Sequence, residues 1–209
     1  MEAQLIDNWD DLYQGDNVPQ WEDLEYNVQF CEYVFGHCTS DMRILELGAG
    51  LGHNAIHLAK NGLSVIASDV SSNAVKRCKA LALEAGVNLQ CEVIDIFSLS
   101  GHEGAFDMVY EKGCWHTFFN DSSRTDFALA VSSLLSDQGK WISSSGSADN
   151  NDDPDDPRLE TYPRLTLQQI ALAVEGCFEI QNVRKGWYGE SEGRKFMTWE
   201  CLFQKRKIG

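Results

Sequence analysis

The sequence predicts an α/β fold in which seven strands form a mostly parallel sheet, helices cover both faces, and the last two strands close the edge as an antiparallel hairpin. Three observations carry this expectation. From residue 42 onward, short apolar runs alternate with helical patterns, which is how strand–helix–strand units read. The first run, Ile44 to Leu47, breaks into alternating glycines at 48, 50 and 52. Glycine tolerates positive φ, so a strand can turn sharply into a helix there while its backbone passes close to a ligand. The last two runs, Phe178 to Trp187 and Phe196 to Phe203, are joined by the polar stretch Tyr188 to Arg194, which reads as a hairpin loop.

Taken in order, residues 1–40 form an aromatic, acidic lead-in with Trp9-Asp10-Asp11-Leu12-Tyr13 and Pro19-Gln20-Trp21, followed by a helix from about 24 to 36. Strands are expected at 42–47, 63–68, 89–94, 105–111, 139–144, 177–185 and 195–204, and helices at 52–61, 71–85, 122–135 and 165–174. The run Ser143 to Ser147, with the acidic stretch Asp149 to Pro157 behind it, reads as loop, because Ser, Asp, Asn and Pro compete with or lack backbone hydrogen bonds. It lacks the glycine and terminal glutamate of a calcium loop, so a solvated loop is expected and no metal.

At 209 residues the chain suits one domain, 1–209, able to bury a core without staples. Seventeen basic against 32 acidic residues give a net charge of −15, which repels phosphate backbones and anionic membranes. Neither nucleic acid nor membrane is therefore expected as a partner. The seven cysteines include no Cys-x-x-Cys pair and read as reduced thiols in a cytoplasmic protein. No leader and no apolar run of spanning length opens another location.

The glycine loop separates two cofactor classes. A dinucleotide fingerprint needs glycine at 53, where this chain has His53. Instead the third glycine is Gly52, and Glu46 stands two residues before the first. Asp69 ends the second apolar run at the distance where an acid accepts hydrogen bonds from a ribose. The pattern Glu-x-Gly-x-Gly-x-Gly followed by Asp69 resembles motif I of the class I S-adenosylmethionine-dependent methyltransferases. Their Rossmann-like sheet also has seven strands and a terminal hairpin. The resemblance implies S-adenosylmethionine as cofactor and S-adenosylhomocysteine as product. It places Gly48, Gly50 and Gly52 at the cofactor's amino-acid end, Glu46 near its ammonium, Asp69 on the ribose, and Asp95 with Ile96 at the adenine. A turn cap is the alternative for Asp95.

Beyond the fourth strand lies Tyr110-Glu111-Lys112-Gly113-Cys114-Trp115-His116-Thr117-Phe118. Ligands in open parallel sheets bind past the strands' carboxyl ends, so these residues should face the reacting methyl group. Displacement at a sulfonium needs alignment above all; a thiolate needs no base, whereas a hydroxyl does. Glu111 and His116 are the candidates for proton handling, with Glu111 also counted at the cofactor and Trp115 at the acceptor; Cys114 reads as a small buried hydrophobe. The lead-in around Trp9, Tyr13 and Trp21 is similar to the N-terminal segment of the thiopurine, thiol and tellurite-resistance methyltransferases, which implies an aromatic lid over cofactor and acceptor. Glu111-Lys112-Gly113-Cys114 resembles their Asp-Arg-Gly-Ala segment, while Asp-Lys-Gly-Thr marks certain protein-lysine methyltransferases. The implied function is methyl transfer to a small molecule, a thiol or other soft nucleophile. The alternatives are methylation of a basic protein tail docked on the acidic surface, or cofactor binding without transfer.

Overall fold

A computed structural model describes residues 9–22, 26–98, 101–149, 164–191 and 194–207. They group into two compact units, residues 1–100 and 101–209. The strands are β1 (Ile44–Leu47), β2 (Val65–Asp69), β3 (Gln90–Val93), β4 (Phe106–Lys112), β5 (Leu135–Gly146), β6 (Phe178–Ser191) and β7 (Arg194–Lys205), in the sheet order β3-β2-β1-β4-β5-β7-β6. Pairs β1–β2, β2–β3 and β4–β5 are parallel, and β7 runs antiparallel to both β5 and β6. The predicted order of strands and helices is the observed one.

The first unit contains α1 (Trp9–Leu12), a 3-10 turn (Gln20–Glu22), α2 (Val28–Phe35), α3 (His53–Lys60) and α4 (Ser72–Glu84). All four residues of β1 are buried, as befits a strand flanked on both sides, so its signal is a continuous apolar run and not an alternation. Gly52 stands at the N-cap of α3 with φ 76°, and Ser71 caps α4 by accepting from the Ala74 N–H. Both helices therefore begin directly after a strand's carboxyl end.

The second unit contains a 3-10 turn (Trp115–Thr117), α5 (Asp121–Leu134) and α6 (Leu167–Val174). Asn120 caps α5, and Thr166 with Gln169 forms a capping box on α6, satisfying N–H groups that a helix start leaves open. Fully buried Trp141 is the centre of its aromatic core, 4.8 Å from the rings of both Trp115 and Phe203 and 5.4 Å from Phe178.

Two sequence expectations change. Ser143 to Gly146 is strand and not loop: all four residues pair with β7, and Ser143 and Ser144 also pair with β4, and this pairing outweighs the turn preference of serine. The acidic stretch from residue 150 to 157 lies outside the described residues. The hairpin loop is also shorter than expected, since β6 runs to Ser191 and β7 begins at Arg194. Among the described residues no helix is long and apolar enough to cross a membrane, and the seven cysteines are free.

Removing the Trp141 side chain should leave a cavity that its rigid aromatic neighbours cannot fill. Trp141→Ala is expected to cost about 3–5 kcal/mol of stability, read as a lowered urea midpoint at unchanged slope.

Candidate active site

The glycine loop of the first unit is shaped by backbone demands. Gly48, Gly50 and Gly52 have φ of 63°, 55° and 76°, the left-handed region that side-chain-bearing residues avoid. A Cβ on Gly50 would collide with the Glu22 carboxylate and the Tyr13 hydroxyl, and one on Gly52 with the Cys78 thiol. The loop is held by Asp69, whose Oδ2 accepts from the Gly50 N–H at 2.8 Å while Oδ1 accepts from the Ser71 N–H at 2.9 Å. Burial pushes the Asp69 carboxyl up, and these two N–H groups pull it back. Glu46 is buried at the end of β1, and the Asn54 amide approaches its Oε1 at 3.5 Å. Asp95 is exposed and brackets its own turn, accepting from the Phe97 N–H at 3.0 Å and the Ser98 hydroxyl at 2.7 Å; Ile96 is half-buried beside it.

The lead-in packs on this loop within the same unit. Trp9 and Trp21 meet edge to face at 6.0 Å, and the Trp21 indole N–H reaches the Tyr13 hydroxyl at 3.4 Å. Tyr13 is buried with Leu51 and Ala74 and donates to Glu22 Oε1 at 2.6 Å. The same oxygen accepts from the Leu51 N–H at 3.2 Å. Asp10 anchors the segment from the other end, accepting from the Ser71 hydroxyl at 2.8 Å and the Asn73 N–H at 2.9 Å. Glu22 and Asp10 escaped the sequence reading, because an acid in an acidic lead-in carries no periodic signal of its own.

In the second unit, Glu111 is fully buried at the end of β4. Its Oε2 accepts from the N–H groups of Cys114 at 2.8 Å and Trp115 at 3.1 Å, and its Oε1 accepts from the Ser143 hydroxyl. Burial raises its pKa to about 7 despite these donors. Glu111 thus braces the turn after β4, where Gly113 has φ 83° and leaves room for the Tyr188 hydroxyl. His116 Nδ1 accepts from the Gly146 N–H at 2.7 Å, which assigns the ring proton to Nε2. Burial, with Lys112 nearby, holds its pKa down to about 4, so the ring is neutral. The Tyr188 hydroxyl, 3.3 Å from that Nδ1, donates to the Ser144 carbonyl at 3.1 Å. Trp115, expected at the acceptor, sits instead in the aromatic core, its indole N–H donating to the Arg124 carbonyl at 3.1 Å. An indole with that much apolar area is better satisfied there than at a solvated turn.

Comparison with known proteins agrees with this architecture. Residues 44–139 match the methyltransferase domain family. A stretch of 74 residues, 32% of this chain, is 32% identical to an S-adenosyl-L-methionine-dependent Diels-Alderase of Talaromyces variabilis, and it spans a quarter of that protein's length. Among solved structures, one from echinomycin biosynthesis, described by conversion of a disulfide bond into a thioacetal, matches with TM-score 0.79 and 21% identity over 96% of this chain and 93% of that one. The 1,6-didemethyltoxoflavin-N1-methyltransferase of Burkholderia thailandensis, solved with S-adenosylhomocysteine, matches with TM-score 0.77 and 17% identity over 98% and 88%. These structural likenesses establish the fold. With its motif I loop and the methyltransferase-domain match over residues 44–139, the chain is similar to the class I S-adenosylmethionine-dependent methyltransferases.

The Glu111 environment makes stability depend on pH. Its folded pKa, about 7, lies above the unfolded value of 4.5, so the folded chain binds more protons across that window. The contribution is present below pH 4.5 and lost as pH rises to 7. His116 works oppositely, its stabilising effect present above 6.5 and lost as pH falls towards 4, and it is common to wild type and variant. The stability of wild type relative to Glu111→Gln should therefore fall by on the order of 3 kcal/mol between pH 4.5 and 7, measured by urea unfolding across that range.

Proposed function

We propose that the chain transfers a methyl group from S-adenosylmethionine to a small-molecule nucleophile, of the thiol or otherwise soft class, that reaches the site already deprotonated. The observation that carries the cofactor is the loop at Gly50: a bare α-carbon at positive φ, braced by Asp69 and edged by the carboxylates of Glu46 and Glu22. That set of acceptors suits a ligand with a sulfonium, an α-ammonium and a ribose diol. Gly48, Gly50 and Gly52 would admit its amino-acid end, Glu46 would meet the ammonium, Asp69 the ribose, and Asp95 with Ile96 the adenine. When bound, the cofactor supplies an electrophilic methyl group and a neutral thioether leaving group.

The acceptor class follows from what the second unit offers. Glu111 is committed to two backbone N–H groups and a hydroxyl, and His116 Nδ1 is committed to Gly146. In this arrangement His116 presents a donor N–H and no free lone pair. Their proposed part is to orient the turn after β4 and to hydrogen-bond the acceptor, not to remove its proton. Such a site favours a nucleophile that needs no base. The Trp9, Tyr13 and Trp21 segment is proposed as the lid that excludes water. A lid packed this closely favours a small acceptor over a polypeptide tail.

Calorimetry should show S-adenosylmethionine and S-adenosylhomocysteine binding to wild type, and no binding to Gly50→Val, whose branched Cβ is both strained at φ 55° and driven into Glu22 and Tyr13. Wild-type affinity in that variant would remove the loop from the site. Asp69→Ala should weaken both ligands alike, by about 1–3 kcal/mol. Turnover on a panel of low-molecular-weight thiols tests the acceptor; methyl label appearing in lysate protein would overturn the small-molecule reading, and binding without turnover would favour cofactor binding alone.

A further inference from the structure

Glu22 is the carboxylate that the lead-in brings to the loop. One of its oxygens joins two partners that the cofactor reading makes functional, the Tyr13 hydroxyl at 2.6 Å from the lid side and the Leu51 N–H at 3.2 Å from the glycine loop. It rests on the bare α-carbon of Gly50, and its side chain is only 9% exposed. Burial, with Glu22 adding to it, raises the Asp69 pKa, and burial, followed by Glu22 and Asp69, raises that of Tyr13. Glu46 adds a third acid at the same loop. Among the described residues, the basic group within ion-pair range of Glu22 is His53, at 3.9 Å. Like charges gathered in a water-poor place repel one another and stay costly until a cation joins them.

Resting on the cofactor reading above, we infer that Glu22 is a charge-reading latch: it favours the closed lid while the ligand at the loop carries a sulfonium cation and releases that preference once methyl transfer has left a neutral thioether. The two ligands differ by one methyl group and one positive charge, and both keep the ammonium, ribose and adenine. A residue that merely ties the lid down stabilises both complexes equally. A residue that reads the charge separates them. Tyr13 provides the internal comparison, because its hydroxyl supports the same contact without charge.

The test is calorimetric titration of wild type, Glu22→Gln, Glu22→Asp and Tyr13→Phe with S-adenosylmethionine and with S-adenosylhomocysteine, together with hydrogen exchange over residues 9–22. Glu22→Gln keeps an acceptor for the Leu51 N–H and loses the charge. It should weaken S-adenosylmethionine about tenfold or more while changing S-adenosylhomocysteine less than about twofold. Glu22→Asp should recover part of the difference, and Tyr13→Phe should weaken both ligands by the same factor. In wild type, exchange over 9–22 should slow more with S-adenosylmethionine than with its product, and Glu22→Gln should erase that gap. Equal weakening of both ligands by Glu22→Gln, or no change in either, overturns the charge-reading role. If wild type binds neither ligand, it is the cofactor reading that fails, so the two failures are distinct.

Discussion

The bond from the Gly50 N–H to the Asp69 carboxylate is the constraint on which the first unit is built. A buried anion is tolerated only when donors meet it, and Asp69 is met by two backbone N–H groups, one from the loop after β1 and one from the cap of α4. Those bonds require the strand ends to lie level. The parallel register of β1 on β2, with Leu47 opposite Ser68, provides this, and the Ser68 hydroxyl to Glu46 carbonyl bond at 2.6 Å and the Ala49 N–H to Ser68 carbonyl bond at 2.8 Å reinforce it. The glycines then have to take positive φ, and a loop without side chains follows. A loop that leaves its backbone bare is thus a by-product of satisfying one carboxylate.

The second unit meets the same problem in the same way. Glu111 stands near the end of β4 as Asp69 ends β2, and it accepts two N–H groups, here both from the turn that follows Gly113 and its positive φ. Here the Ser143 hydroxyl of β5 completes the set, which gives that serine a partner inside a buried strand. The chemical consequence is restraint. A carboxylate and an imidazole that hold backbone order the turn after β4, and the proposed transfer would rest on alignment and exclusion of water.

How much of this was legible varies by residue. The alternation of strands and helices stands out in the sequence, as do the three glycines and the acids at 46, 69 and 111, because each of these residues lies in the last positions of a strand or in the turn just after it. The partners of those acids do not. Glu22 lies 29 residues from Leu51, Ser143 lies 32 from Glu111, and Tyr188 lies 72 from His116, and no local pattern encodes such pairs. Trp115 misled for the same reason: its neighbours in sequence are turn residues, whereas its neighbours in space are Trp141 and Phe203.

The sequence by itself determined the sheet, its closing hairpin and the glycine loop after β1, because these rest on periodicity and on the steric freedom of glycine, both local properties. Tertiary structure alone decided which lone pairs are spent. That Glu111 and His116 are engaged by backbone, that Trp115 is core and that a lead-in carboxylate rests on Gly50 depend on which donors strand pairing and helix capping bring within about 3 Å, a distance that separation along the chain does not encode.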